Sequence, residues 1–185
     1  MKNYALITIL LLRIFCSCTS NTSFKEYSNT PIKFAKKKIE SSKLGYTIVV
    51  PHYWRLIDES NLNVFIETYT DGRIQSPDFP FLSIAKFKWD TNDLDLFIEQ
   101  LNEEKLPEGL ERIELDKTDF LKYKSYYSHV KTIGGGKNKV EVITLMLKAK
   151  EDSTFYTIMC SVPKNENYKT NMAKLLYCTK QFTLK

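Results

Sequence analysis

The feature that most constrains the fold is a series of short segments in which apolar or β-branched residues alternate with polar ones. Alternation with a period of two is typical of a β-strand that packs on at least one face. One such segment carries on its two faces Phe81, Ser83, Ala85, Phe87 and Trp89 against Leu82, Ile84, Lys86 and Lys88. Strands are predicted on this basis at 46–50, 54–57, 63–70, 81–89, 111–120, 123–132, 140–150 and 154–162.

The period of the apolar residues changes at two places. One run has its apolar residues at i, i+3, i+4 and i+7, namely Leu94, Phe97, Ile98 and Leu101. A second run follows Pro163 and places on one face Tyr168, Met172, Leu175, Leu176 and Thr179. This spacing is typical of an amphipathic helix. Strands, a helix, more strands and a last helix predict an α+β domain with a twisted, mainly antiparallel sheet and helices on both faces.

The first eighteen residues predict export. Lys2 is followed by a short apolar run from Tyr4 to Leu12, which is too short to span a bilayer because a spanning helix needs about 20 apolar residues. The end of this segment resembles a bacterial lipobox, with Ser17 directly before Cys18. The resemblance implies a signal peptide over 1–17 and a lipid (palmitate-labelled) anchor on Cys18. A simple cleaved signal peptide is the alternative.

Residues 18–43 are predicted to be a flexible tether between the anchor and a single domain at 44–185. The segment is rich in Ser, Thr, Asn and Lys and shows little apolar periodicity. Its basic cluster consists of Lys33, Lys36, Lys37 and Lys38. The cluster could contact anionic lipid headgroups, or it could be a solvated linker that leads into the first strand.

Cys160 and Cys178 are the cysteines outside the signal segment. An exported pair can oxidise, and the sequence predicts a disulfide between them, with two buried free thiols as the alternative. No third or fourth ligand lies near either cysteine in the sequence, so neither a metal site nor another cofactor is predicted.

The charge balance argues against a nucleic-acid partner. Without Lys2 and Arg13 of the signal segment, 25 of the 27 basic residues face 22 acidic residues. A dedicated nucleic-acid binder carries a dense basic face, and this small surplus does not provide one.

The segment that runs from Gly45 through Tyr46-Thr47-Ile48-Val49-Val50 to Pro51, with Trp54 after it, resembles the opening of the PsbP-like superfamily. The resemblance extends over about residues 44–185 through the order of the later elements. It implies an α-β-α sandwich around a twisted antiparallel sheet. It also implies a non-enzymatic binding protein, and it offers no active site to transfer to this chain.

Catalytic residues are not indicated by any motif. His52 follows Pro51 at a strand corner, His129 lies on a polar strand, and both are predicted to be surface residues without a positioned partner. Gly134 to Lys137 precede a strand, whereas a phosphate loop precedes a helix, so a flexible turn is predicted there.

Aromatic residues around a loop are the candidates for contact with a partner. Tyr69, Phe79 and Phe81 border the loop at 70–81, where they could anchor a partner or tuck into the edge of the sheet.

The sequence thus predicts a membrane-anchored, non-enzymatic binding module in the cell envelope, on the outer membrane and facing the periplasm. Its expected partner is an envelope protein or an apolar peptide segment. The alternative is a carrier of a small molecule or lipid, which an apolar cavity above about 300 Å³ between sheet and helix would favour. A hydrolase using His52 or His129 would need a histidine beside a carboxylate and a hydroxyl in one cleft.

Overall fold

The computed structural model describes residues 22–58, 64–71, 79–103, 105–133, 139–149 and 153–185. Within these ranges the chain forms three helices, α1 (Phe24–Asn29), α2 (Leu94–Glu103) and α3 (Tyr168–Lys180). The strands of the same ranges are β1 (Lys36–Ser41), β2 (Tyr46–Pro51), β3 (Trp54–Asp58), β4 (Phe65–Asp71), β5 (Phe81–Lys88), β6 (Leu110–Thr118), β7 (Ser125–Thr132), β8 (Val140–Lys148), β9 (Thr154–Pro163) and β10 (Thr183–Leu184).

The strands form two antiparallel sheets. The small sheet has the order β1-β2-β10, and the large sheet has the order β3-β4-β5-β9-β8-β7-β6. The pairing of β5 with β9 places the last long strand in the centre of the large sheet, next to strands from both halves of the chain. The predicted α+β class, the antiparallel sheet and the helices on both faces are confirmed.

The two faces of the large sheet are covered very differently. Side chains such as Ile143, Leu145 and Ile158 are fully buried on one face, in a core that also contains residues of α1, α3 and β2. The alternate residues, such as Met146 and Phe155, pack on the opposite face against α2. Among the described residues, one face therefore carries two helices and the small sheet, whereas the other carries α2.

The predicted tether is wrong for residues 22–43, which belong to the folded domain. Ser23 and Glu26 form a capping box that starts α1, and this helix buries Phe24 and Tyr27. Residues of β1 pair along the whole of β2. The segment carries no clear periodic signal in the sequence, because α1 has only six residues, too few to show an apolar period.

The lysines at 36–38 lie on β1, at the edge of the small sheet, and are exposed. Lysines on an edge strand oppose pairing with other chains. The predicted signal peptide 1–17 and Cys18 lie outside the described residues, as do Gly134 to Lys137. No helix in the described ranges combines the length and the apolar character needed to cross a membrane.

A substitution in α1 tests whether the segment before β1 is structural. The ring of Phe24 stacks on that of Tyr127, with centroids 4.1 Å apart. Because Phe24→Ala removes a buried ring, we expect the free energy of unfolding in urea to fall by about 3 kcal/mol. Lys25→Ala, at the adjacent exposed position, should change it by less than about 0.5 kcal/mol. Equal free energies of unfolding for Phe24→Ala and the wild type would instead support a flexible tether before β1.

Candidate ligand-binding groove

An apolar groove with a volume of about 520 Å³ opens on the face of the large sheet that carries α2. Its lining comes from strands β4 to β9, from α2 and from the segments that follow β5 and α2. The lining residues are Ile66, Ser83, Ala85, Phe87, Trp89, Phe97, Leu101, Leu106, Arg112, Ser128, Val130, Thr144, Met146, Thr157 and Met159.

The groove exists because α2 is too short to cover the sheet. Its ten residues extend about 15 Å, whereas seven strands spaced about 4.8 Å apart extend roughly 29 Å across the sheet. Leu94, Phe97 and Ile98 of α2 pack beside Phe155 at one end of the strands. The face of the sheet beyond the helix remains as the floor of the groove.

Small side chains on adjacent strands deepen this floor. Ala85 of β5 pairs with Thr157 of β9, and Thr144 of β8 pairs with both Met159 of β9 and Ser128 of β7. Because these residues are registered directly opposite one another and most have short side chains, the volume above them stays open.

Aromatic rings form the wall of the groove nearest to α2. The ring centroid of Phe97 lies 5.3 Å from that of Trp89 and 6.0 Å from that of Phe87. Trp89 Nε1 donates a hydrogen bond to Gln100 Oε1 at 2.8 Å, which ties the indole to α2, and the Trp89 side chain is still 39% exposed. An apolar ligand entering the groove would contact a positioned indole.

Arg112 is the charged residue of the lining. Its Nη1 donates to Asn102 Oδ1 at 2.8 Å, and its Nη2 donates a longer bond of 3.5 Å to the Leu101 carbonyl oxygen. These contacts hold the guanidinium of Arg112, a residue of β6, at the C-terminal end of α2. The groove is thus mostly apolar, with hydroxyl side chains on its floor and a cationic group at one place.

His129 is buried, and its prediction as a surface residue is wrong. His129 Nε2 lies 2.8 Å from Glu141 Oε1, which also accepts a 2.6 Å hydrogen bond from the Tyr27 hydroxyl. Lys164 Nζ lies 3.2 Å from the other carboxylate oxygen of Glu141. Side-chain exposure is 0% for His129 and 3% for Glu141, so this cluster faces the closed core and no cleft.

The pKa of Glu141 reflects two opposing effects. Burial would raise the pKa of this carboxyl, but the hydrogen bonds from His129 and Tyr27 and the charge of Lys164 outweigh burial and lower it. The carboxylate is therefore ionised at neutral pH and links α1, through Tyr27, to β7 and β8.

A second buried carboxylate lies on the same face of the large sheet. Glu67 of β4 accepts hydrogen bonds from the hydroxyls of Ser41, Tyr46 and Tyr69. Ser41 and Tyr46 belong to the small sheet, so Glu67 joins the two sheets. Burial is the main reason that the pKa of Tyr46 and that of Tyr69 are raised, which keeps both hydroxyls protonated as donors.

The three predicted partner-binding aromatics do not form a surface. Tyr69 is 0% exposed and takes part in the Glu67 cluster, so its prediction as a partner contact is wrong. Phe79 and Phe81 are half-buried at the start of β5. Tyr69 points into the core because β4 alternates and its odd-numbered residues face the small sheet.

The predicted disulfide between Cys160 and Cys178 is not formed, and both residues are buried free thiols. The Cys160 sulfur instead lies 3.3 Å from the Thr179 hydroxyl. Burial raises the pKa of each thiol to about 12, which keeps both protonated and unreactive. The structure matches the alternative that the sequence left open, two buried free thiols.

His52 is exposed, and its Nδ1 lies 3.4 Å from the Ala35 carbonyl oxygen.

The groove was not predicted as a site because its residues have the pattern of an ordinary buried strand face. The alternation had placed Ser83, Ala85, Phe87 and Trp89 together, and all four line the groove. Periodicity assigns residues to a face but does not say whether another element covers that face.

Replacement of Glu141 tests the buried cluster through pH. A carboxyl whose pKa is lowered on folding adds stability above the unfolded pKa, about 4.3, and this stability is lost as pH falls through the folded pKa. Glu141→Gln should therefore lower the free energy of unfolding by about 2 kcal/mol at neutral pH. The difference from wild type should shrink steadily below about pH 4.

Urea unfolding at a series of pH values measures this difference. Glu166→Gln, which removes an exposed carboxylate, should follow the wild-type curve within about 0.5 kcal/mol. A Glu141→Gln difference that stays constant down to pH 2 would contradict a charge-based role.

Comparison with known proteins supports the fold. No protein-family model matches the chain, and no curated protein matches it at a significant level. Several solved structures resemble it over most of their length, among them three proteins from different organisms. The Ran-binding protein Mog1p of Saccharomyces cerevisiae is 16% identical with a TM-score of 0.53, covering 82% of this chain and 96% of its own.

The other two structures come from bacteria. PsbP (CyanoP) of Synechocystis is 14% identical with a TM-score of 0.58, covering 85% of this chain and 96% of its own. LpqN of Mycobacterium tuberculosis, described as involved in cell envelope biogenesis, is 15% identical with a TM-score of 0.56, covering 90% of this chain and 99% of its own. At these identities the likeness concerns the fold, and the chain has the α+β fold of the PsbP and Mog1 structures.

Proposed function

We propose that the protein is a non-enzymatic binding module that holds a small apolar ligand in the groove between the large sheet and α2. The observation that carries this proposal is the groove itself, about 520 Å³ in volume and lined mostly by apolar side chains. Ligand sites for small molecules typically have volumes of about 300–1,000 Å³ and a few polar groups. A carrier of a small molecule or lipid is therefore favoured over a module that binds an envelope protein.

The absence of catalysis is part of the proposal. His129 has a carboxylate and a hydroxyl nearby, but all three groups are enclosed in the core, where no substrate could reach them. Exposed His52 has no carboxylate within salt-bridge distance in the described part of the chain. A general acid or base needs contact with the reacting group.

Binding of an envelope protein is the second candidate. It is favoured by Leu56 and Ile57, which are 49% and 43% exposed on β3, the terminal strand of the large sheet among the described residues. Phe65 on the neighbouring β4 is 40% exposed. Apolar side chains at a sheet edge suit a protein partner, and one protein of this fold is a Ran-binding protein.

We also propose that Cys18 carries a lipid anchor and that the domain faces the periplasm from the outer membrane. Support comes from the lipobox-like end of the signal segment and from the LpqN description, which places a protein of this fold in envelope biogenesis. An anchored binding module would keep its ligand near the membrane.

A blocked groove tests the ligand site. Ala85→Trp places a large side chain on the floor, so binding of the neutral apolar dye N-phenylnaphthylamine should weaken at least tenfold. Dye fluorescence in a titration measures the affinity, and the unfolding midpoint checks that the variant folds. Leu96→Trp, on the exposed side of α2, is the matched control and should bind like wild type.

Equal affinities of wild type and Ala85→Trp for the dye would show that binding occurs elsewhere. If the wild type does not bind the dye, the groove proposal fails. The exposed residues of β3, as a surface for a protein partner, then become the leading candidate site.

The anchor is tested by Cys18→Ser. Lipid attachment needs the thiol, so cells fed with radioactive palmitate should label the wild-type protein and leave the variant unlabelled. Cys178→Ser, which removes a buried thiol, should still be labelled. Continued labelling of Cys18→Ser would overturn the assignment.

A further inference from the structure

We propose that the ligand of the groove is an anionic amphiphile, whose apolar chain lies on the floor and whose single acidic head group binds Arg112. This inference rests on the proposed function, because it assumes that the groove takes a small ligand. It adds the chemical class of that ligand and assigns Arg112 as the residue that selects it.

The backbone around Arg112 directs its side chain. The register of β6 against β7 shifts between Arg112, which pairs with Val130, and Glu114, which pairs with His129. Such bulges twist a strand and re-aim a side chain, and they are common beside binding sites. Arg112 lies at this bulge on β6, the terminal strand of the large sheet among the described residues, with its guanidinium at the end of α2.

The Arg112 guanidinium has N–H donors that make no hydrogen bond with the described residues. Arg112 has five N–H donors, yet its acceptors are the Asn102 side-chain oxygen and, at 3.5 Å, the Leu101 carbonyl oxygen. No carboxylate of the described residues lies within salt-bridge distance, and the buried Nε makes no hydrogen bond with them. By contrast, Lys117 of β6 and Lys124, which lies between β6 and β7, both pair with Asp95.

Nη1 and Nη2 of Arg112 each use one of their two N–H groups in the contacts with Asn102 and Leu101, and a carboxylate or phosphate oxygen would accept charge-assisted bonds from the remaining two. The planar fork of a guanidinium fits both oxyanions. The other polar groups of the lining are the uncharged hydroxyls of Ser83, Ser128, Thr144 and Thr157. The described residues of the lining therefore offer one positive charge and no negative charge to a ligand.

The groove suits a lipid-like chain better than a peptide. An extended peptide is usually held by hydrogen bonds to a free strand edge. The floor is made of strands paired on both sides, such as β5, β9 and β8, so their backbone groups are already bonded. An alkyl chain needs no such bonds, and each methylene that it buries improves affinity about fourfold.

Calorimetric titration of the purified full-length protein tests the inference with three ligands that share one chain length. Dodecanoate and dodecyl phosphate carry the acidic head group, and dodecanol does not. Wild type should bind at least one of the two anions about tenfold more tightly than dodecanol. The tighter anion identifies the head group as a carboxylate or a phosphate.

Arg112→Gln should weaken binding of that anion about tenfold and leave dodecanol unchanged. Arg55→Gln, which removes the same charge from an exposed position on β3, should bind all three ligands like wild type. Arg112→Lys keeps the charge but loses the fork, and should retain part of the preference for the anion. This variant and the wild-type comparison keep the test valid if Arg112→Gln does not fold.

Equal wild-type affinities for the anions and dodecanol, or an anion preference that survives Arg112→Gln, would overturn the role of Arg112 and leave the apolar groove intact. Failure of all three ligands to bind would overturn the proposed function itself. Displacement of dodecanoate by a short apolar peptide at equal concentration would overturn the assignment to an amphiphile.

Discussion

Two buried glutamates determine how the rest of the molecule assembles on the large sheet. Glu67 gathers the hydroxyls of Ser41 and Tyr46 from the small sheet, and Glu141 gathers Tyr27 from α1 together with His129. A buried carboxylate is costly unless its lone pairs are satisfied. The small sheet and α1 supply those donors, so each carboxylate ties one of these elements to the large sheet. Both clusters lie on one face, which is where the main core forms.

In the described part of the chain the opposite face is covered by one helix, and this asymmetry creates the groove. Leu94, Phe97 and Ile98 of α2 cover one end of the strands with an apolar cluster, and the uncovered floor beyond them is built from short side chains. An exposed face of this kind would be a liability if it were wide and fully apolar. Here hydroxyl side chains lie among the apolar residues of the floor, and the charged Arg112 lies at one end. These polar groups oppose non-specific aggregation, and together with the apolar residues they would suit an amphiphile.

Errors in the sequence analysis share one physical cause, which is that partners distant in sequence decided the outcome. His129 was expected on the surface because its strand looked polar, yet Glu141 and Tyr27 make its burial possible. The segment at 18–43 was expected to be a tether, although its described part contains Phe24 stacked on Tyr127. Cys160 and Cys178 were expected to form a disulfide because an exported pair can oxidise, but they are buried free thiols, and the Thr179 hydroxyl lies beside the Cys160 sulfur.

The sequence by itself determined strands β2 to β9, the two longer helices and the α+β class, because period-two and period-3.6 patterns reflect the local geometry of the backbone. It also determined that Ser83, Ala85, Phe87 and Trp89 share a face. Only the tertiary structure decided which face is closed, that α1 and β1 join the domain, and that Arg112 lies beside the groove. Those outcomes depend on contacts between elements far apart in the chain, and such contacts leave no periodic signal in the residues that make them.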